Sequence, residues 1–110
     1  MDFETCIQAL ELCRDTCIEC ANLSEKEGNM DDCVTSCRTC AETCDDCRQK
    51  LLDGSTILCS DCSAMCQECA NVCSKYEHEH CEKCAAECVR CSAICDEQLV
   101  MTEKTRGYIG

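Results

Sequence analysis

The sequence predicts an all-α protein: an antiparallel up-down-up-down four-helix bundle with a cysteine-lined core. Three observations carry this. Helix formers such as Ala, Glu, Leu, Lys and Gln are common, strand formers are scarce, and Pro is absent. Of 110 residues 19 are Cys, and they recur at alternating steps of three and four. That alternation averages 3.5 residues, the period of a helix face packed against a neighbour. The same ladder occurs four times, separated by short polar breaks, which makes it an internal repeat of one helix.

The first helix is expected over residues 3–25, with Cys6, Leu10, Cys13, Cys17 and Cys20 facing inward and Glu4, Glu11, Asp15 and Glu19 outward. Leu10 takes a place that a Cys would have filled. Gly28 is a plausible stop, and Asn29 or Asp31 a cap for the second helix. That helix, over 31–52, carries Cys33, Cys37, Cys40, Cys44 and Cys47 at steps 4, 3, 4, 3. Asp53-Gly54-Ser55 is the next break, with Gly54 suited to a left-handed position and Ser55 to an N-cap. The third helix, 56–75, carries Cys59, Cys62, Cys66, Cys69 and Cys73; the fourth, 79–100, carries Cys81, Cys84, Cys88, Cys91 and Cys95. Residues 1–100 thus form the bundle domain. Residues 101–110 lose the period and read as a tail, either mobile or docked on a partner subunit.

Short connections make successive helices antiparallel. One end of the bundle then gathers Phe3, Ile7, Leu10, Leu51, Leu52, Ile57, Leu58 and Leu99 into an apolar plug. The other gathers Ser24, Met30, Tyr76, His78 and His80, with the chain's two histidines. Cys33 should lie near the histidine mouth and Cys47 near the plug. Ala9, Ala21, Val34, Ala41, Met65, Ala70, Val72, Ala85 and Ile94 flank the ladders and would seal the sides.

Apart from its cysteines the chain has little apolar material, with one Phe, two Tyr and no Trp. Buried Cys behaves as a small hydrophobe, so the core can close on thiols. A net charge of −12 argues against nucleic-acid backbones and anionic membranes as partners. The start of the chain has neither a basic nor an apolar signal region, and no run approaches a membrane span. A cytoplasmic location is expected, where thiols stay reduced.

Two cysteines three or four apart on a helix put two sulfurs on one face, and soft thiolates select Cu(I). Charge sets the loading. One Cu(I) on two private thiolates leaves a net −1, costly when repeated in a buried core. If each thiolate bridges two ions, copper and sulfur approach one to one and the core is neutral. The 19 thiols would then hold on the order of 19 Cu(I), each releasing a proton. Zn(II) is the nearest rival, with closed four-thiolate sites for about four ions, but such sites need no continuous ladder. An iron–sulfur or redox reading lacks the C-x2-C-x2-C run followed by C-P. A disulfide scaffold fits poorly with an odd count in heptad order. Cysteines as mere core filler would not need five in register on three helices. His78 and His80, beside Cys81, are candidate ligands for an entering ion, against the plainer reading of two solvated side chains. Met30 and Met65 read as packing. No nucleophile–base pair or phosphate loop is visible, so no enzyme is expected.

The repeated C-x3-C-x2-C ladders over about residues 3–99, and HEHCEKCAAECVRCSAIC above all, resemble the cytosolic type of copper storage protein. The resemblance implies storage of many Cu(I) ions inside each bundle and assembly of bundles into a homotetramer. It makes the ladder cysteines the ligands and puts His78 and His80 at the mouth. Leu10 departs from a full ladder.

Overall fold

The computed structural model describes residues 2–109, with side chains for residues 2–103. It holds four helices, α1 (Glu4–Glu27), α2 (Asp31–Leu52), α3 (Cys59–Cys73) and α4 (Glu79–Ile109), and no strand among the described residues. Helix α1 packs against α2 and α4, and α3 packs against the same two, so the helices form a ring with no backbone contact across either diagonal among the described residues. Thiol pairs fix the directions. Cys20 meets Cys33, joining the end of α1 to the start of α2. Cys47 meets Cys59, joining the end of α2 to the start of α3. Cys6 meets Cys95, joining the start of α1 to the far part of α4. The bundle is therefore up-down-up-down. It measures 52 × 21 × 17 Å, two helix diameters across, which leaves room for one column of side chains along the axis. No described helix is long and apolar enough to cross a membrane.

The breaks have local causes. Gly28 ends α1 at φ +82°, its N–H donating to the Ser24 carbonyl. Neither Asn29 nor Asp31 caps α2: Met30 stands at the N-cap without a side-chain bond, and Asp32 Oδ1 accepts the Cys33 N–H instead. Gly54 takes φ +86° and donates to Leu51, closing the turn after α2. Helix α3 is shorter than the expected 56–75. Ser55 Oγ accepts the Ile57 N–H, and the β-branched pair Thr56-Ile57 sits in the turn before Cys59.

Helix α4 departs furthest from expectation, since it runs unbroken to Ile109 through residues read as a tail. Losing the apolar period removes the reason to pack, not the reason to be helical. Met101, Glu103, Lys104 and Arg106 are good helix formers, and an established helix extends at little cost.

All 19 cysteines are buried. Ala9, Ala21, Ala41, Ala70 and Ala85 are buried beside them, with Val34, Met65, Val72 and Ile94 partly buried. At one end Leu10 and Leu51 are fully enclosed, and Phe3, Ile7, Leu58 and Leu99 pack over them. Leu52 and Ile57 do not join this plug, being 61% and 72% exposed. Leu52 follows Leu51 by one residue, a rotation of about 100° on a helix, so both cannot face the core.

Candidate metal centre

Each ladder points its thiols at the bundle axis because the 3-4 alternation keeps them on one face. Sulfurs from different helices then interleave. Cys33 Sγ lies 3.6 Å from Cys73 and Cys37 Sγ 3.5 Å from Cys73. Cys37 and Cys84 are 3.7 Å apart, as are Cys84 and Cys17, and Cys17 and Cys88. Further along, Cys40 meets Cys66 and Cys62 meets Cys44, each at 3.8 Å. Such spacings suit a metal ion held between sulfurs: four thiolates about 2.3 Å from a tetrahedral ion stand about 3.8 Å from one another.

Four sets of four cysteines have all their sulfurs within 4.8 Å of one another. Cys13, Cys44, Cys66 and Cys91 take one thiol from each helix, as do Cys20, Cys37, Cys73 and Cys84. The other two are Cys13, Cys17, Cys40 and Cys88, and Cys17, Cys69, Cys84 and Cys88. The sets overlap: Cys13, Cys17, Cys84 and Cys88 each belong to two. These are thus not separate sites but stretches of one column, which shared sulfurs can bridge from ion to ion.

Among the described residues Cys6, Cys33, Cys47, Cys59, Cys62, Cys81 and Cys95 belong to none of these four sets. They lie toward the ends and make pairs instead. Cys6 and Cys95 are 4.0 Å apart and Cys47 and Cys59 3.8 Å, beside the leucine plug. Cys33 is at the opposite end, 3.8 Å from Cys81.

A fifth set is of another kind: Cys20, His80 and Cys81. His80 opens α4, and its Nε2 lies 3.1 Å from the Ser24 hydroxyl. His78 belongs to no such set among the described residues; it stacks on His80 with ring centroids 5.3 Å apart. Tyr76 joins the α3–α4 connection to α2, its hydroxyl donating to Asp32. Met30 is buried at this end, 3% exposed. Ser24, which the sequence already gathers at this end, is not marked as a ladder rung by its residue type. The signal was present, because a step of four from Cys20 continues the α1 ladder to position 24.

The electrostatics follow from burial and crowding. Burial first, then the nearby Cys20, pushes the Cys81 thiol up to about 12. The Cys59 thiol, followed by burial, raises Cys6 to about 12. Deeper in, neighbours share their protons unequally. Cys13 is lowered because the thiols of Cys17 and Cys40 hydrogen-bond to its thiolate, and Cys17 is raised chiefly by Cys13. Where one thiol of such a pair is ionised, its charge holds the proton on the other, as for any two like charges in close contact. A full column of thiolates therefore requires cations between the sulfurs.

None of the curated proteins matches this sequence. Two solved structures are similar. One is a Cu(I)-bound copper storage protein, BsCsp3, with a TM-score of 0.82 and 28% identity over 86% of this chain and 95% of that one. The other is the apo form of copper storage protein 3 from Bacillus subtilis, with a TM-score of 0.78 and 28% identity over the same shares. The family model for the Csp copper storage proteins matches residues 1–100, the span that holds all four ladders. A bundle with one continuous thiol column, and that match across nine-tenths of its length, belongs to the copper storage protein family.

Proposed function

We propose that the chain stores and buffers many Cu(I) ions per bundle, bound by the thiolates of its 19 cysteines, with His80 and the stacked His78 at the mouth. The observation that carries this is the sharing of Cys13, Cys17, Cys84 and Cys88 between neighbouring four-thiol sets. A two- or three-coordinate soft ion uses shared sulfurs and keeps the column neutral. Structural zinc needs four thiolates closed around each ion, and among the described residues four such sets occur, so zinc would leave the cysteines at the ends of the column without an ion. A chaperone that hands over single ions needs an exposed pair, whereas all these cysteines are at most 1% exposed. Storage needs no turnover, and no catalytic role is assigned to any residue.

Reduced thiols throughout the column suit a cytoplasmic location. Assembly into a homotetramer follows the family resemblance. Half-exposed Leu12, Ile18 and Val89 give contacts between bundles something to bury.

The test is metal choice. Reduced protein is loaded with Zn(II), and Cu(I) is then added without oxygen. The zinc should be released completely, with no visible absorption band, since Cu(I) is a closed-shell ion. Zinc retained against excess Cu(I) would favour the zinc reading, and a visible band after expression would favour a cluster.

A further inference from the structure

Position 24 is the sixth rung of the α1 ladder, after Cys6, Leu10, Cys13, Cys17 and Cys20. Its side chain is fully buried at the mouth. The Ser24 hydroxyl lies 3.6 Å from Cys33 Sγ, 3.9 Å from Cys20 and Cys81, and 3.1 Å from His80 Nε2. One hydroxyl thus sits among all three members of the Cys20–His80–Cys81 set and touches the outermost thiol of α2.

Resting on the copper-storage reading, we infer that Ser24 is a positioning residue that makes the outermost copper site an exchange site. The chemistry of the rung is the reason. A hydroxyl is a hard donor that stays protonated, and it does not compete with thiolates for Cu(I). The column therefore ends one soft ligand short. An ion at the mouth has Cys20, Cys81 and His80 within reach, and no thiolate from the sixth rung to bridge it outward. The same hydroxyl occupies His80 Nε2 while the site is empty. It holds the imidazole over the mouth, and an arriving ion takes Nε2 from a hydrogen bond that reforms when the ion leaves. Partners of this type commonly shift metal affinity by about 10–100-fold.

The experiment compares wild type with Ser24→Cys, Ser24→Ala and Ser24→Thr. Each is loaded with Cu(I) anaerobically, and transfer to a chromogenic Cu(I) chelator is followed in time. Circular dichroism checks that each variant is folded. Ser24→Cys should slow the fastest-released equivalent on the order of tenfold or more and add one thiol's worth of capacity. Ser24→Thr keeps the hydroxyl and should release like wild type. Ser24→Ala should keep the wild-type capacity and change the rate of that fastest equivalent only. In a His80→Ala background, Ser24→Ala should have no further effect, because the two act through one contact. A fast phase unchanged in Ser24→Cys, or an equal effect of Ser24→Ala with and without His80, would overturn the inference. Failure of the storage reading would look different: wild type itself would bind only a few equivalents.

Discussion

The sulfurs of Cys33 and Cys81 lie 3.8 Å apart, although their helices, α2 and α4, stand on a diagonal of the bundle and share no backbone contact among the described residues. Cys37 and Cys84 repeat the relation at 3.7 Å. The thiols alone close the middle of the molecule, so what fills the column acts on all four helices at once.

The empty protein should therefore fold without metal and gain stability when loaded. Protonated thiols serve as small apolar side chains, and every buried side-chain nitrogen and oxygen among the described residues has a partner. Binding to the folded chain adds stability by mass action. Circular dichroism on heating should show a helical apo-protein and a higher Tm once Cu(I) is bound. An apo-protein without helix would mean that metal builds the fold, as in small zinc domains.

Leu10 breaks the α1 ladder but fills the plug, where it is fully buried. Leu10→Ala should cost the apo-protein about 2–5 kcal/mol, the usual range for a Leu cavity in a close-packed core. Copper capacity should not change, since no ligand is lost. Urea unfolding and a metal titration on the same variant separate these two effects. A fall in capacity would show that Leu10 does more than pack.

The apo-protein should weaken in alkali. Cys81, chiefly through burial, is raised from 9.0 to about 12. The folded state thus favours the protonated thiol. The stability this contributes is complete below about pH 9 and is lost as pH rises toward 12. The urea midpoint of reduced apo-protein should fall across that window, and a flat profile would contradict it. Loaded protein should instead lose copper in acid, as protons compete for the thiolates.

Outside the column, Asp45 ties α1 to α2. Its Oδ1 lies 2.8 Å from Arg14 Nη1 and 2.9 Å from Arg48 Nη2. Arg14 first, then Arg48, holds its carboxyl below the usual range. That contribution is present above the ordinary carboxylate range and lost as pH falls through the lowered value. The groups are about a quarter exposed, so Asp45→Asn should cost only about 0.5–1 kcal/mol, shrinking in high salt. A larger, salt-independent loss in urea unfolding would point to packing instead.

The bundle and its thiol core were legible because one residue type marked the inward face of every helix. With short connections, that pattern left few other arrangements, and it also gave the ends their identity. Cys33 does sit at the histidine end and Cys47 at the leucine end. What was not legible depended on signals other than cysteine. The run of α4 to Ile109 rests on propensity without periodicity. Leu52 was apolar but wrongly phased on its helix and Ile57 lies in the turn before α3, so neither joins the plug in which composition placed them. His78 and His80 looked equivalent in sequence. Of the two, His80 alone falls among the residues that could hold an ion, and Ser24, hydrogen-bonded to it, is a common residue whose meaning comes from its register.

The most direct test of a continuous, shared column is the number of ions it holds. Reduced apo-protein should be titrated anaerobically with Cu(I) in the presence of a competing chelator. Shared thiolates in a neutral core predict saturation on the order of one ion per thiol, near 19 for this chain. Saturation at about four or five equivalents, the capacity of closed four-thiolate sites, would contradict it.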